Sequence, residues 1–397
     1  MSIQQKILYN GSTGGFLSKS KAKDHIMDKN TLKSSFSKWL TPINSKKLLK
    51  QVTNLSQDKY TKKLTTEAYI KLMLYAQIHE TEGLQALSDA LLNADFQKAV
   101  GLKSISASQL SRKNNEMDPA ILAELFLDLV YQIRGYHNKN LRGLPLKIID
   151  SSTLPLNLTH YKWAKFRKTK AGVKLHLRLV FMDKDTVYPD KAVITTTKEH
   201  DRNQLEVLVD DKDAMYVFER GYMDYERFDR MTDDGYFFVS RLKKNSVTRE
   251  VHTFSVPSDS NILSDKMVYI GSTQKRCENI FRLLEVLDTK GNILCLITNR
   301  FDLKPEEISD IYRSRWAIEL FFKWLKQHVE IKHFYGMSET ALQNQIYIAL
   351  ITYCLHVLIQ LETNSKKSLL RITRWLKAAL WKPAYIWLHR FERKTVP

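Results

Sequence analysis

Tyr312-Arg-Ser-Arg-Trp-Ala-Ile-Glu-Leu-Phe-Phe-Lys-Trp-Leu-Lys326 is the stretch on which the reading of this chain turns. It holds neither Pro nor Gly, so it reads as one helix of about four turns, with Asp310 placed to cap it. At helical spacing Tyr312, Arg315, Glu319, Lys323 and Lys326 share one narrow face. Most other positions are apolar, among them Trp316, Ile318, Leu320, Phe321, Phe322, Trp324 and Leu325, so the helix is expected to be buried. Polar groups on a buried helix need partners or a ligand. Glu319 could simply pair with Arg315 and Lys323, a contact worth a few tenths of a kcal/mol on a surface. The cations outnumber the carboxylate, however, which favours an anionic ligand or a metal on this face. A carboxylate that holds a metal beside cations that hold phosphate oxygens suits phosphate chemistry.

The order Tyr312, Arg315, Glu319, Lys326 resembles the Y-R-E-K signature of bacterial insertion-sequence transposases of the DDE type. The surrounding words, from Thr298-Asn-Arg-Phe301 to Phe334-Tyr-Gly336, resemble that family as well, and the likeness runs from about Asn30 to about Leu361. It implies an α/β chain: an RNase H-like catalytic domain with a β-rich insertion, preceded by an all-helical N-terminal DNA-binding domain. The corresponding divisions are a poorly ordered lead (1–29), a helical domain (30–140), a catalytic domain (141–361, insertion about 236–299) and a basic aromatic tail (362–397).

Composition agrees with a polyanionic partner. There are 62 Lys and Arg against 43 Asp and Glu, a formal charge of +19. Nucleic acid is the default and an anionic membrane surface the rival. The first thirty residues lack an apolar core segment, so no signal peptide is expected. The longest apolar run, Ile346 to Leu361, contains Thr352, His356 and Gln360 and is shorter than the roughly 20 residues that span a bilayer. It reads as a buried helix, with no membrane partner. Cys277, Cys295 and Cys354 have no zinc spacing and read as reduced thiols of a cytoplasmic, nucleoid-associated protein.

Helical periodicity covers Leu32–Leu40, Lys46–Leu55, Thr65–Glu80, Gly83–Leu92, Ser106–Glu116 and Pro119–Tyr136. The fourth and fifth of these have the proportions of a helix-turn-helix, with Ser108, Gln109, Arg112 and Lys113 outward; an ordinary polar helix face fits equally well. Leu144 to Asp150 reads as a short buried strand that ends at its acid, where the resemblance places the first metal-binding carboxylate. After basic and aromatic residues from Trp163 to Lys170, Ala171-Gly172 reads as a turn. Val173 to Phe181 alternates, with Lys174, His176 and Arg178 on one face. That face is either a solvated edge or, through Lys174 or His176, a contact to DNA phosphate. Asp201 with Gln204 reads as a capping box for a helix through Val209.

Met215–Phe218 reads as another strand, ending at Glu219-Arg-Gly-Tyr222. The family's words are Asp-Arg-Gly-Tyr, so Glu219 stands at the second carboxylate position with a side chain one methylene longer. Asp150, Glu219 and Glu319 are thereby implied as the acids that hold two Mg2+ ions, with Mn2+ as a substitute. Tyr312, Arg315, Lys326 and Lys323 are implied on phosphates, while the helix-turn-helix reading, apart from the resemblance, would put Arg112 and Lys113 on duplex DNA. The implied reaction is cleavage at the element's terminal inverted repeats followed by joining to target DNA, in a homodimer. A metal-dependent nuclease, or an impaired copy that only binds DNA because of Glu219, remains open. In the insertion, Tyr269, Phe281 or Phe254 would have to stack any flipped base, though core roles suit them better; Gly291-Asn292 reads as a hairpin turn. The tail, with Trp375, Trp381 and Trp387, reads as docked by its apolar side; dimerisation, DNA binding or a membrane-surface helix fit the same pattern.

Overall fold

The computed structural model describes residues 33–138, 144–183, 186–243, 245–256, 258–272, 274–328 and 334–392. The expected lead (1–29) and the last basic residues, Arg393 and Lys394, lie outside them. Seven helices come first: α1 (Ser35–Trp39), α2 (Ser45–Asn54), α3 (Thr66–His79), α4 (Leu84–Ala90), α5 (Ala94–Val100), α6 (Ala107–Glu116) and α7 (Pro119–Asn138). Strands β1 (Leu146–Leu156), β2 (Lys165–Arg167), β3 (Lys170–Phe181) and β4 (Val187–Thr196) follow, then α8 (Leu205–Leu208), β5 (Met215–Phe218), α9 (Tyr225–Asp233) and β6 (Phe237–Arg241). Next are β7 (Thr248–Phe254), β8 (Ile262–Ser272), β9 (Lys275–Arg276), β10 (Phe281–Leu287) and β11 (Ile293–Thr298). The chain closes with α10 (Pro305–Arg313), α11 (Trp316–His328), α12 (Glu339–Glu362), α13 (Leu369–Ala379) and α14 (Ala384–Glu392).

One sheet runs β2-β3-β1-β5-β6-β11-β10-β8-β7, with β4 also on β3. β1 is antiparallel to β3 and parallel to β5, and β5 is parallel to β6. The β-rich segment makes no separate layer; it extends the same sheet antiparallel from β6 onward. Helices α1–α7 share one apolar core with β1, β3 and α11–α14, while two smaller cores lie around β5, β6 and their neighbours. At the centre of the large core is α12. Several of its buried polar groups are answered inside the protein: Asn344 Nδ2 donates to the Asn114 and Met117 carbonyls, Gln345 accepts from the Tyr335 N–H, and His356 lies between Thr352 and Thr373. The helix is long and apolar enough to cross a bilayer, yet 89% of its most apolar window is buried in the protein.

Several local expectations are corrected. The stretch Tyr312–Lys326 is two helices rather than one. Arg315 N–H donates to Tyr312 O, Ala317 N–H to Ser314 O and Ile318 N–H to Arg315 O, so the path tightens to i→i−3 bonds between α10 and α11. The Ser314 hydroxyl donates to Ile311 O at 2.6 Å and occupies a carbonyl at the joint. Asp310 is therefore no cap; it lies inside α10, whose first turn is closed by Glu307 accepting from Lys304 N–H at 2.8 Å. Nor is the stretch buried all round, since Trp316 and Leu320 are exposed.

β1 does not stop at Asp150 but runs six residues further, to Leu156, because its register with β3 is unbroken from Leu146↔Phe181 to Leu156↔Ala171. Pro155 is tolerated because β1 pairs with β5 only as far as Ile149, which leaves its other side unpaired. The turn before β3 is Lys168-Thr169, not Ala171-Gly172. Gly172 sits inside β3, where a Cβ would approach Leu154 O at 2.9 Å. Between α4 and α6 lies α5, capped by Asn93 and ended by Gly101 at φ 76°, so the two helices proposed for a helix-turn-helix are not consecutive. The hairpin at Gly291 is as read, with φ 78°.

Candidate active site

The site grows out of a mismatch in strand length. β1 and β5 pair in parallel from Leu146↔Met215 to Ile149↔Phe218, where β5 ends. The next residue on each strand is an acid, Asp150 on β1 and Glu219 beyond β5. The carboxyl ends of adjacent parallel strands thus deliver two carboxylates to one crevice, the place where open α/β sheets bind ligands. Glu219 is fixed by the 3₁₀ turn that follows it, its Oε2 accepting from Arg220 N–H at 3.1 Å. Asp150 Oδ1 accepts from Ser151 N–H at 2.7 Å.

α11 packs against β1, with Ile318, Phe321, Phe322 and Leu325 buried in the core that β1 shares, and Glu319 faces the same crevice. At the α10–α11 joint Arg315 reaches all three acids. Its Nε stands 3.3 Å from Glu219 Oε1, one terminal nitrogen 3.7 Å from Asp150 Oδ2, and the other hydrogen-bonds Glu319 Oε1. The Tyr312 hydroxyl donates to Glu219 Oε1 at 3.2 Å. Burial pushes the Asp150 carboxyl up to about 6, against the pull of the Ser151 N–H and Arg315, with Glu219 and Asp201 adding to the rise. Burial would also lower the Arg315 guanidinium, but Tyr312, Glu219 and Glu319 outweigh it and raise it. Tyr312 is raised by burial and then by Glu219.

Lys323 and Lys326 project from α11 into solvent. Lys174 and His176 lie on β3 opposite Thr153 and Ser151, and the face they share with Arg178 is no solvated edge. Arg178 is buried and forks onto Asp190 at 2.8 and 2.9 Å. Lys174 Nζ lies 3.2 Å from Asp201 Oδ1, and His176, fully buried, lies 3.5 Å from the same oxygen and 2.9 Å from Thr195 Oγ1. Burial holds the His176 imidazole down to about 4, so it is neutral near pH 7. On α6, Arg112 is exposed while Lys113 is not outward: it is buried and bonded to Asp58 Oδ1 at 2.7 Å. Sequence reasoning gave Asp201 the wrong task. It begins a 3₁₀ turn for which His200 is the N-cap, and its side chain turns toward Ser151. The one available signal was an acid just beyond a strand adjacent to the basic face of β3.

Among the described residues no three acid, His or Cys side chains gather closely enough to hold a metal ion. The type of donor, as distinct from the spacing, is nonetheless that of a divalent-cation site. Three partly buried carboxylates converge, their charge is incompletely balanced by one guanidinium, and carboxylate oxygens are what Mg2+ and Mn2+ prefer. Beside Glu219, a cleft of about 840 Å³ opens between α10 and the β10–β11 hairpin, lined by Arg241, Lys290, Tyr312, Arg313, Arg315 and Trp316. Glu219 and Asp288 also line this cleft, so its charged wall is mixed, with the cations in the majority.

The family profile of the transposase DDE domain matches residues 142–355, and a domain of unknown function (DUF4372) matches residues 31–103. This chain belongs to the DDE transposases, of the bacterial insertion-sequence kind. It is 29% identical over 294 residues (73% of this chain, 75% of the relative) to the Geobacillus stearothermophilus protein called "Probable transposase for insertion sequence element IS5377". It is 30% identical over 251 residues (62% and 69%) to a Sinorhizobium fredii relative bearing the transposase name y4zB. A solved piggyBac transposase synaptic complex with hairpin DNA is similar at a TM-score of 0.45 and 11% identity, over 92% of this chain and 84% of that one. Members of this family generally use divalent metal ions.

Proposed function

We propose that this chain cuts the ends of its insertion element and joins the freed 3'-hydroxyls to target DNA. The observation that carries this is the meeting of Asp150, Glu219 and Glu319 around Arg315 at the open ends of β1 and β5. The strand order β4-β3-β1-β5-β6, with the first three antiparallel and the last three parallel, supports an RNase H-like catalytic core. Asp150, Glu219 and Glu319 would hold two divalent cations, Mg2+ or Mn2+ in its place, whose chemistry there is to activate an attacking oxygen and neutralise a leaving one.

The chain's own groups do the rest. Arg315 and Tyr312 stand where a phosphate next to those acids would be clamped and hydrogen-bonded. Lys326 and Lys323, further along α11, hold the neighbouring backbone. Arg112, exposed on α6, is a duplex contact, whereas Lys113 is committed to Asp58. Lys174 and His176 act on Asp201 rather than on DNA. Two element ends must be held together, so the working form is a homodimer on terminal inverted repeats and target duplex, in the bacterial cytoplasm at the nucleoid.

Glu219 favours one rival, a copy that binds the ends without cutting them. The test uses a plasmid carrying the element's own ends, in Mg2+ and separately in Mn2+. Excision and strand transfer by the natural chain, lost in Glu319→Gln with end binding unchanged, is the expected result. Activity restored only in Glu219→Asp establishes an impaired copy. Cutting without joined products favours a nuclease, and binding without products from any variant favours the DNA-binding reading.

A further inference from the structure

Asp201 is a fourth carboxylate beside the site. Its Oδ1 accepts a hydrogen bond from Ser151 Oγ at 2.6 Å and stands 3.2 Å from Lys174 Nζ and 3.5 Å from His176 Nδ1. Its Oδ2 lies 3.4 Å from where a Cβ on Gly221 would sit. Ser151 is the residue whose N–H holds Asp150 Oδ1, and Gly221 belongs to the turn that opens at Glu219. One side chain therefore bonds the residue next to Asp150 and lies against the turn, two residues on, that follows Glu219.

Placing a further negative charge among carboxylates is costly, and an apolar side chain would fill the space without that repulsion. The charge is kept, with Lys174 and His176 of β3 turned toward it. Oδ1 already faces the Ser151 hydroxyl and both of these nitrogens, and Oδ2 faces the Gly221 turn, so Asp201 is poorly disposed to hold a cation itself. We infer that Asp201 is a positioning residue: bonded to β1 at Ser151 and packed, with its own turn, against the turn that holds Gly221, it acts as a spacer that sets the separation of the Asp150 and Glu219 carboxylates. This rests on the acid cluster being the catalytic site. A displacement of about 1 Å at such a site costs on the order of 100-fold in rate.

The test compares the natural full-length chain with Asp201→Asn and Ser151→Ala, the second of which removes the tie without changing charge. Three quantities are read: kcat and KM for cleavage of a duplex element end, Mn2+ affinity without DNA followed by the spectrum of free Mn2+, and the melting temperature. The expectation for Asp201→Asn is a kcat lower by about 100-fold with KM within about two-fold, and Mn2+ affinity lower by about ten-fold. Ser151→Ala should lose about ten-fold in kcat, again with KM unchanged, because it breaks the bond to β1. If Asp201→Asn is slow while Ser151→Ala matches the natural chain, the effect is one of charge and the positioning role is overturned. It is equally overturned if both variants keep natural kcat and Mn2+ affinity. Should Asp201→Asn melt early, Ser151→Ala decides alone. A natural chain that binds Mn2+ without cutting sinks the transposase reading only, and the Mn2+ affinity of Ser151→Ala then decides for Asp201. A natural chain that does neither overturns both.

Discussion

Arg315 is where charge and geometry in this protein meet. Its guanidinium faces three carboxylates that would otherwise face each other, on a side chain only 14% exposed. Removing one partner of such a cluster leaves uncompensated buried charge and costs about 3 kcal/mol. Arg315→Gln should therefore melt well below the natural chain in metal-free buffer, and Mg2+ should raise its melting temperature more than it raises that of the natural chain. Equal Mg2+ responses would show that the guanidinium and the cation do not share these carboxylates. Tyr312, Arg315 and Glu319 were legible in the sequence from their helical spacing, whereas Asp150 and Glu219 were singled out only by the family resemblance, since an acid after an apolar strand more often caps a turn. That one guanidinium touches all three acids was not legible. It depends on the joint at Ser314 and on where α11 crosses β1, and neither leaves a periodic trace. The misreading of Asp201 has the same origin: a capping box is a local pattern, whereas Ser151 lies fifty residues away in the chain.

α2 and α6 were readable because one face is apolar, α3 because a capped apolar run of 14 residues is too long for a strand, and β5 because it is a short apolar run. α5 was missed because two turns give too few positions for a period. The end of β1 was misplaced because Ser-Ser-Thr and Pro155 look like a break, while pairing to β3 alone carries the strand on. Charged residues at element ends now have specific tasks. Asp58 accepts from Thr66 N–H at 2.8 Å at the start of α3 and from Lys113 at 2.7 Å on α6. Burial would raise its carboxyl, but Lys113 and Thr66 prevail and lower it. Asp58→Ala strands a buried ammonium and leaves the Thr66 N–H at the start of α3 without its acceptor, so urea unfolding should show a loss of about 3 kcal/mol, whereas Arg112→Ala should leave stability within about 0.5 kcal/mol.

Asp210 offers a pH test at the same scale. Burial would raise it, but hydrogen bonds from Lys191 and Arg178 hold it down to about 2. A carboxyl lowered on folding stabilises above its unfolded value of 3.8 and loses that contribution as pH falls toward about 2. The carboxylate is half-exposed, so the contribution is about 1 kcal/mol after allowance for solvent screening. Asp210→Asn should be less stable than the natural chain by that amount at pH 6, with the gap closing by pH 2. A gap that is the same at both values would mean that the Lys191 and Arg178 contacts do not survive in solution.

At the scale of the molecule, the two ends of the described chain are clasped. Ser34 bridges Pro383; Ser35 N–H donates to Lys382 O at 2.9 Å, Phe36 N–H to Leu380 O at 3.0 Å, and Ala384 N–H to Lys33 O at 2.8 Å. Around these bonds Phe36, Tyr75, Phe96 and Trp381 pack ring against ring, and Trp39 meets His356 of α12. The docked tail, with Ile372, Leu376 and Trp387 buried, was legible from its apolar spacing; its partner at the far end of the chain was not, because nothing in either segment encodes the other's position. The arrangement makes α13 and α14 the cover of the N-terminal helices and not a free basic tail. Large aromatic side chains deleted from a core cost roughly 3–5 kcal/mol each, a substantial share of a typical folding free energy. A chain ending at Thr363 should accordingly bind a hydrophobic dye and lose the cooperative near-ultraviolet transition. Trp381→Ala, the milder lesion, should lower stability by about 3 kcal/mol while the natural pattern of Mn2+ binding at the acid cluster persists, since Trp381 touches none of those carboxylates. If the truncated chain melts cooperatively at the natural temperature, the clasp contributes nothing to the core; a loss of Mn2+ binding in the folded Trp381→Ala chain would show that the helical cover and the acid cluster are mechanically coupled through α12.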